Sequence, residues 1–313
     1  MSFFMRELSF FNTSSPSPIQ EIQSPLLKER KLRLLVKRDD LLDKSLSGNK
    51  WRKLKYNLHE AFNQQKKCLL TFGGAYSNHL YATAAAGQRF GIPTIGIVRG
   101  EAVEPPNPTI RFLRACQMKL HFVSRHAYRQ KTDLLDQLDL DLTDCYILPE
   151  GGSNPLAMKG CTELVEETRE QLAFVPEVWA LACGTGATLA GLIEGLGGTA
   201  QALGIAVLRD ASLGERIQSL LSRPLTDNWS LCLDYHFGGY ARFDEELIQW
   251  INDFRRQFGI PLEPLYTGKL FFGLFDLIQQ GYFPVGTTIL AVHTGGLQGI
   301  IGFNERFGPL IEN

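Results

Sequence analysis

The chain carries no excess of charge of either sign. Lys and Arg total 32 against 33 for Asp and Glu, a formal net charge of -1. No surplus of cations is available to neutralise a phosphate backbone or an anionic lipid surface, so neither nucleic acid nor a membrane is an expected partner. Long apolar runs are also missing. The most apolar window, Val178 to Ile193, lies between Glu177 and Glu194 and is broken by Gly184-Thr185-Gly186, which points to a strand, a turn and a helix and not to a membrane span. Phe3-Phe4-Met5 is followed at once by Arg6-Glu7, which leaves no room for the hydrophobic stretch of a signal peptide. The six cysteines (Cys68, Cys116, Cys145, Cys161, Cys183 and Cys232) form no C-x-x-C pair and no cluster with histidine at metal spacing. No metal site is expected, and reduced thiols in a cytoplasmic protein are the simplest reading.

What the chain does have is 313 residues, enough for two domains of roughly 100–200 residues each. A hydrophobic content of 44% with 21% charged residues is that of a globular protein with a core of useful size. Apolar, β-branched runs bounded by turn residues alternate with longer amphipathic stretches, the pattern of a parallel sheet with helical crossovers, so the class is α/β. Strands are expected at Leu32-Val36, Cys68-Phe72, Thr94-Val98, Lys119-Val123, Tyr146-Leu148, Val178-Ala182, Ile205-Leu208, Leu231-Tyr235 and Thr288-Val292. Helices are expected at Lys50-Asn63, Asn78-Phe90, Pro108-Cys116, Lys131-Leu138, Pro155-Leu172, Thr188-Leu196, Phe243-Phe258 and Lys269-Gln279. The Ser/Pro-rich stretch Thr13-Pro18 has the look of a short leader.

Several strand ends carry turns with chemical potential. Ser47-Gly48-Asn49-Lys50 opens a helix that Ser47 or Asn49 could cap. A lysine in a first helical turn faces the positive end of the helix dipole, which disfavours its ammonium form. Lys50 is therefore either an amine poised to form a Schiff base with a carbonyl cofactor or a solvated surface lysine like Lys53 and Lys55. Phe72-Gly73-Gly74-Ala75-Tyr76-Ser77-Asn78-His79 ends a strand in a glycine turn and starts a helix with short polar side chains; it is either an ordinary capped turn or a cradle for a carboxylate. Cys183-Gly184-Thr185-Gly186-Ala187-Thr188 follows a buried strand, and its two glycines, two hydroxyls and helix start best fit a phosphate cup. It lacks the lysine of a nucleotide-binding P-loop and the spacing of a dinucleotide site. Leu148-Pro149-Glu150-Gly151-Gly152-Ser153-Asn154 and His293-Thr294-Gly295-Gly296 also lie at strand carboxyl ends, where α/β proteins bind ligands. Gly238-Gly239-Tyr240 and Pro264-Leu265-Tyr266-Thr267-Gly268-Lys269 place tyrosines beside glycines.

In this order and spacing, from about Ser17 to Gly296, the set resembles the pyridoxal-phosphate (PLP) enzymes of the tryptophan-synthase-β fold type, and most of all the D-cysteine desulfhydrase and 1-aminocyclopropane-1-carboxylate (ACC) deaminase family. The resemblance implies two open-sheet αβα domains: a large one from residues 1–54 with 156–313, a smaller one from 55–155 between them, the cofactor in the cleft, and a homodimer. It implies Lys50 as the Schiff-base lysine and as the base at Cα. Ser77, Asn78 and His79 would hold the substrate carboxylate, with Asn78 also at the cofactor ring oxygen. Thr185, Gly186, Ala187 and Thr188 would hold the phosphate. Tyr266 would assist proton transfer, Tyr240 would contact substrate, and Thr267 and Thr294 would lie against the cofactor. ACC deaminases resemble one another in having Glu after the tyrosine and Leu before the Gly-Gly turn, where this chain has Thr267 and Thr294. The implied reaction is therefore β-elimination from a small amino acid such as D-cysteine, with ACC deamination or non-catalytic binding of a phosphate ligand as the alternatives.

Overall fold

A computed structural model of the chain describes residues 16–312, apart from 47, 139 and 223–226. Ten strands form two sheets. They are β1 (Ile19–Ile22), β2 (Arg33–Lys37), β3 (Cys68–Gly74), β4 (Thr94–Arg99), β5 (Lys119–Val123), β6 (Cys145–Ile147), β7 (Val178–Cys183), β8 (Gln201–Ala206), β9 (Trp229–Cys232) and β10 (Thr288–Val292). The first sheet runs β1-β2-β10-β7-β8-β9 and the second β5-β4-β3-β6. Every pairing is parallel except that of β1 with β2.

The connecting helices are α1 (Pro25–Arg30), α2 (Asn49–Asn63), α3 (Asn78–Phe90), α4 (Pro108–Ala115), α5 (Arg125–Arg129), α6 (Lys131–Gln137), α7 (Pro155–Leu172), α8 (Ala187–Leu196), α9 (Leu213–Leu220), α10 (Glu245–Phe258), α11 (Thr267–Gln279) and α12 (Gly299–Phe307). Period-two alternation decides which side chains meet which helices. Leu34, Val36, Ala180, Ala182, Leu203, Ile205, Ile289 and Ala291 face a core shared with α10, α11 and α12. Their neighbours Leu35, Trp179, Leu181, Cys183, Ala202, Ala206, Leu290 and Val292 face a second core under α7, α8 and α9. With both faces covered, the strands read as nearly continuous apolar runs, which is why the sequence pattern reveals them.

Four expectations are corrected. Ser17 is buried, with its hydroxyl on Asp39 at 2.7 Å and its N–H on Glu167 at 2.8 Å, so Pro16-Ser17-Pro18 is part of the fold and not a leader; Thr13 to Ser15 lie outside the described residues. The strand expected at Ile205-Leu208 is Gln201–Ala206, and that expected at Leu231-Tyr235 is Trp229–Cys232 followed by a tight turn at Asp234–His236. Cys68 and Cys145 are not free thiols: they form a disulfide between paired positions of β3 and β6, while Cys116, Cys161, Cys183 and Cys232 are free. No helix among the described residues is long and apolar enough to cross a membrane.

Candidate active site

The carboxyl ends of β2, β7 and β10 lie side by side in the first sheet, and the direction of winding reverses between β10 and β7. Such a reversal opens a crevice at the strand ends. Gly48, which precedes α2, is wedged into it. Its φ is +67°, and a Cβ there would lie 1.9 Å from the carbonyl oxygen of Thr294, so only glycine fits. The Gly48 N–H donates to the Asp39 carbonyl at 2.9 Å and that of Asn49 to the Thr294 carbonyl at 3.3 Å. Asn49 does not cap the helix as expected: it is the first helical residue, preceded by Gly48 as the cap, and Ser47 lies outside the described residues.

Asn49 instead joins two parts of the site. Its Oδ1 accepts from Lys50 Nζ at 2.9 Å and its Nδ2 donates to Thr188 Oγ1 at 3.0 Å. Lys50 has its pKa lowered to about 7, first by burial and then by the charge of Lys53. The shift has the direction expected from the sequence, with burial its largest cause and a second lysine the next. Lys53 is itself only 3% exposed and donates to the Gly151 carbonyl at 3.2 Å, and burial lowers its pKa as well. The reading of Lys53 as a solvated surface residue is thus corrected. Lys55 is half-buried and paired with Glu163 at 3.0 Å. Behind α2, Arg52 is clamped by Asp39 at 2.7 Å and Glu167 at 3.0 Å, and Lys37 donates to Glu167. These buried pairs tie the helix that carries Lys50 to β2 and α7.

Across from Lys50, β3 ends at Gly74 and Ser77 caps α3, its Oγ accepting the Leu80 N–H at 3.2 Å. That bond uses a lone pair and leaves the hydroxyl proton free. Asn78 Oδ1 accepts from Gln298 Nε2 at 2.9 Å, which ties the start of α3 to the turn after β10. His79 behaves differently from its neighbours. It is 2% exposed, its Nε2 lies 2.9 Å from Thr71 Oγ1 and its pKa falls to about 3, through burial and then through the charges of Lys50 and Lys53. The ring is neutral at physiological pH.

The cup residues follow β7. Gly186 adopts φ +93° and precedes α8, which has no side-chain cap, so its first N–H groups are open to an anion. Thr185 Oγ1 lies 2.9 Å from Ser153 Oγ, and Ala187 and Thr188 are buried. The Tyr266 ring packs against the same turn: a Cβ on Gly184 would be 3.2 Å from it. Tyr266 and Tyr240 lie close enough to influence each other's titration, and burial raises the pKa of both phenols. Tyr240 keeps 46% of its surface exposed. Asn154, in the turn after β6, is structural: it caps α7 and bonds Asn57.

Glu263, which the sequence reasoning missed, is 2% exposed beneath α11. Its carboxylate accepts the N–H groups of Leu265, Tyr266 and Thr267 at 2.8, 2.8 and 2.7 Å. The available signal was an acidic residue just before a helix start, where a carboxylate can accept open N–H groups. For Lys53 it was the i, i+3 relation to Lys50, which puts both amines on one helix face.

The arrangement fits a phosphorylated aldehyde cofactor. An amine with a lowered pKa stands within one side chain of an uncapped helix start, and the buried Nδ1 of His79 has no partner among the described residues. Comparison with known proteins agrees. A family model described as "Pyridoxal-phosphate dependent enzyme" matches residues 13–295. The bifunctional D-cysteine desulfhydrase/1-aminocyclopropane-1-carboxylate deaminase of Arabidopsis thaliana is 31% identical, over 95% of this chain and 80% of that protein. The D-cysteine desulfhydrase of Klebsiella pneumoniae is 28% identical, over 93% and 95%. A crystal structure described as an ACC deaminase homologue superposes with a TM-score of 0.82 at 27% identity, over 95% of this chain and 94% of that one. On its matched length, its two-sheet α/β fold and its strand-end crevice, the chain belongs to the family of pyridoxal-phosphate dependent enzymes.

Proposed function

We propose that the enzyme eliminates the β-thiolate of D-cysteine, converting D-cysteine and water to pyruvate, ammonia and hydrogen sulfide. The observation that carries this choice is Thr267. In the position next to Tyr266 the chain offers a buried hydroxyl, hydrogen-bonded to Glu263, in place of a free carboxylate. When bound, PLP supplies a carbonyl for the substrate amine and an electron sink for the Cα–H bond pair. A carboxylate at the ring nitrogen would strengthen that sink, as opening a cyclopropane requires. A hydroxyl suffices when a thiolate leaves from Cβ, because charge need not accumulate at Cα.

The chain's own groups have matching tasks. Lys50, with a pKa near 7, is in large part a free amine at neutral pH, able to attach the cofactor and to take the proton from Cα. The open N–H groups of α8, with Thr185 and Thr188, would hold the phosphate, and Asn78, Thr267 and Thr294 would surround the ring. Ser77 would donate its free hydroxyl proton to the substrate carboxylate, with Asn78 and His79 beside it at the start of α3. Tyr266, held protonated by burial and by Tyr240, would give a proton to the departing sulfur.

The same reading makes the protein a homodimer divided into residues 1–54 with 156–313 and residues 55–155. Side-by-side assays at equal enzyme concentration test the choice of reaction. Sulfide and pyruvate from D-cysteine, with little 2-oxobutyrate from ACC, are expected; efficient ACC turnover with none of D-cysteine would reverse it.

A further inference from the structure

Lys269 is fully buried, yet among the described residues no carboxylate pairs with it. Its Nζ donates to the carbonyls of His236 and Gly239 at 2.9 Å each, and the carbonyl of Val207 lies at 3.5 Å. The Phe237 ring is 6.0 Å from it. Removing an ammonium from water costs several kcal/mol unless other interactions offset it. Here the hydrogen-bond acceptors are backbone carbonyls alone, and burial pulls the group down to about 8 against the more distant charge of Glu263, which favours the ammonium. An apolar side chain would fill this place at lower cost, so its donors must accomplish something that packing does not.

What they hold is the turn that presents Tyr240. Phe237, Gly238, Gly239 and Ala241 all have positive φ, at 52°, 89°, 123° and 54°, so the turn is stabilised little by its own backbone preference. Its own ties are the Gly239 N–H on the His236 carbonyl at 2.9 Å, the Gly238 N–H on His236 Nδ1 at 2.9 Å and the Arg242 N–H on the Gly239 carbonyl at 3.2 Å. The Tyr240 phenol is desolvated beside Tyr266, but 46% of the residue's surface stays exposed, so packing alone does not hold its turn. Lys269 stands three residues after Tyr266, in the first turn of α11. One helix start thus carries Tyr266 and grips the carbonyls on either side of the Gly238 peptide.

We propose that Lys269 is a positioning residue that locks the 236–240 turn and so fixes Tyr240 against Tyr266. This deepens the reading in which the two tyrosines face the substrate. Hydrogen exchange of the holoenzyme tests it. In Lys269→Met, peptides covering 236–242 should exchange about tenfold faster or more, as expected for loss of two charge-assisted hydrogen bonds, with β7 and the rest of α11 unchanged. Unchanged exchange at 236–242, or equal acceleration throughout, would overturn the proposal. Should Lys269→Met not fold, Lys269→Gln, which keeps a neutral donor, decides by the same measure. Kinetics add a readout that a purely structural role would not move. Lys269→Met should raise KM for D-cysteine at nearly constant kcat, and it should add little in a Tyr240→Phe background; additive effects would contradict coupling through Tyr240. The exchange result needs no substrate, so it stands or falls separately from the assigned reaction.

Discussion

Glu263 and Thr267 hold each other reciprocally: the Thr267 hydroxyl accepts the Glu263 N–H at 3.0 Å and lies 3.2 Å from Glu263 Oε1, to which it donates, while the Thr267 N–H donates to the same oxygen at 2.7 Å. The hydroxyl proton is therefore committed to the carboxylate, and the Thr267 side chain is held in one orientation at the start of α11. Thr267→Val removes both side-chain bonds inside a fully buried site. It should cost about 1–3 kcal/mol in denaturant unfolding, and an unchanged midpoint would show that the pair contributes nothing.

Lys50 owes part of its lowered pKa to the charge of Lys53. Removing that charge relieves the ammonium, so Lys53→Met should move the Lys50 titration upward from about 7. The pH dependence of Lys50 acylation in cofactor-free protein, followed by peptide mass, reads this directly. A midpoint that stays or falls would mean that burial alone sets the shift.

The ion pairs behind α2 make a prediction about acid. Burial would raise the Glu167 carboxyl, but Arg52 and Lys37 outweigh it and hold it below its ordinary value of 4.5. A carboxyl lowered in the folded state contributes stability above its unfolded pKa and loses it as pH falls through the folded one. Glu167→Gln should therefore be less stable than the parent by about 3 kcal/mol near neutrality, and the two urea curves should draw together as pH falls below 4.5 and through the lower folded value. A gap that persists in acid would point to lost packing instead of lost charge.

The cup after β7 can be closed by one side chain. A Cβ at Gly186 would stand 2.7 Å from Ile217, in a backbone region that favours glycine, so Gly186→Ala controls for strain while Gly186→Asp adds a negative charge. The Asp variant should lose PLP on gel filtration and the Ala variant should keep a larger share of it. Stoichiometric cofactor in a folded Asp variant would place the phosphate elsewhere.

Much of this architecture was legible in the residues. Asn78–Phe90 and Pro155–Leu172 were bounded to the residue because Ser77 and Asn154 are strong caps and Pro155 suits a first turn. Thr288–Val292 stood out as a short apolar run between polar turns. β1 was missed: its sequence, Ile-Gln-Glu-Ile, is four residues of edge strand with mixed polarity beside prolines. β8 was placed four residues late because Gln201, Gly204 and a following apolar run blur its start. Within the site, the Gly48-Asn49-Lys50, Ser77-Asn78 and Thr185 to Thr188 segments were visible because glycines and short polar residues cluster there. Lys53, Glu263 and Lys269 were not, since a charged residue in a helix or loop looks solvated until packing around it is known.

The central claim is that Lys50 is the residue to which the cofactor is joined. Borohydride reduction of the purified yellow holoenzyme, followed by digestion and peptide mass mapping, should place the phosphopyridoxyl group on Lys50, and Lys50→Ala should carry none. Recovery of the label on Lys53, three residues along the same helix face, would contradict the account.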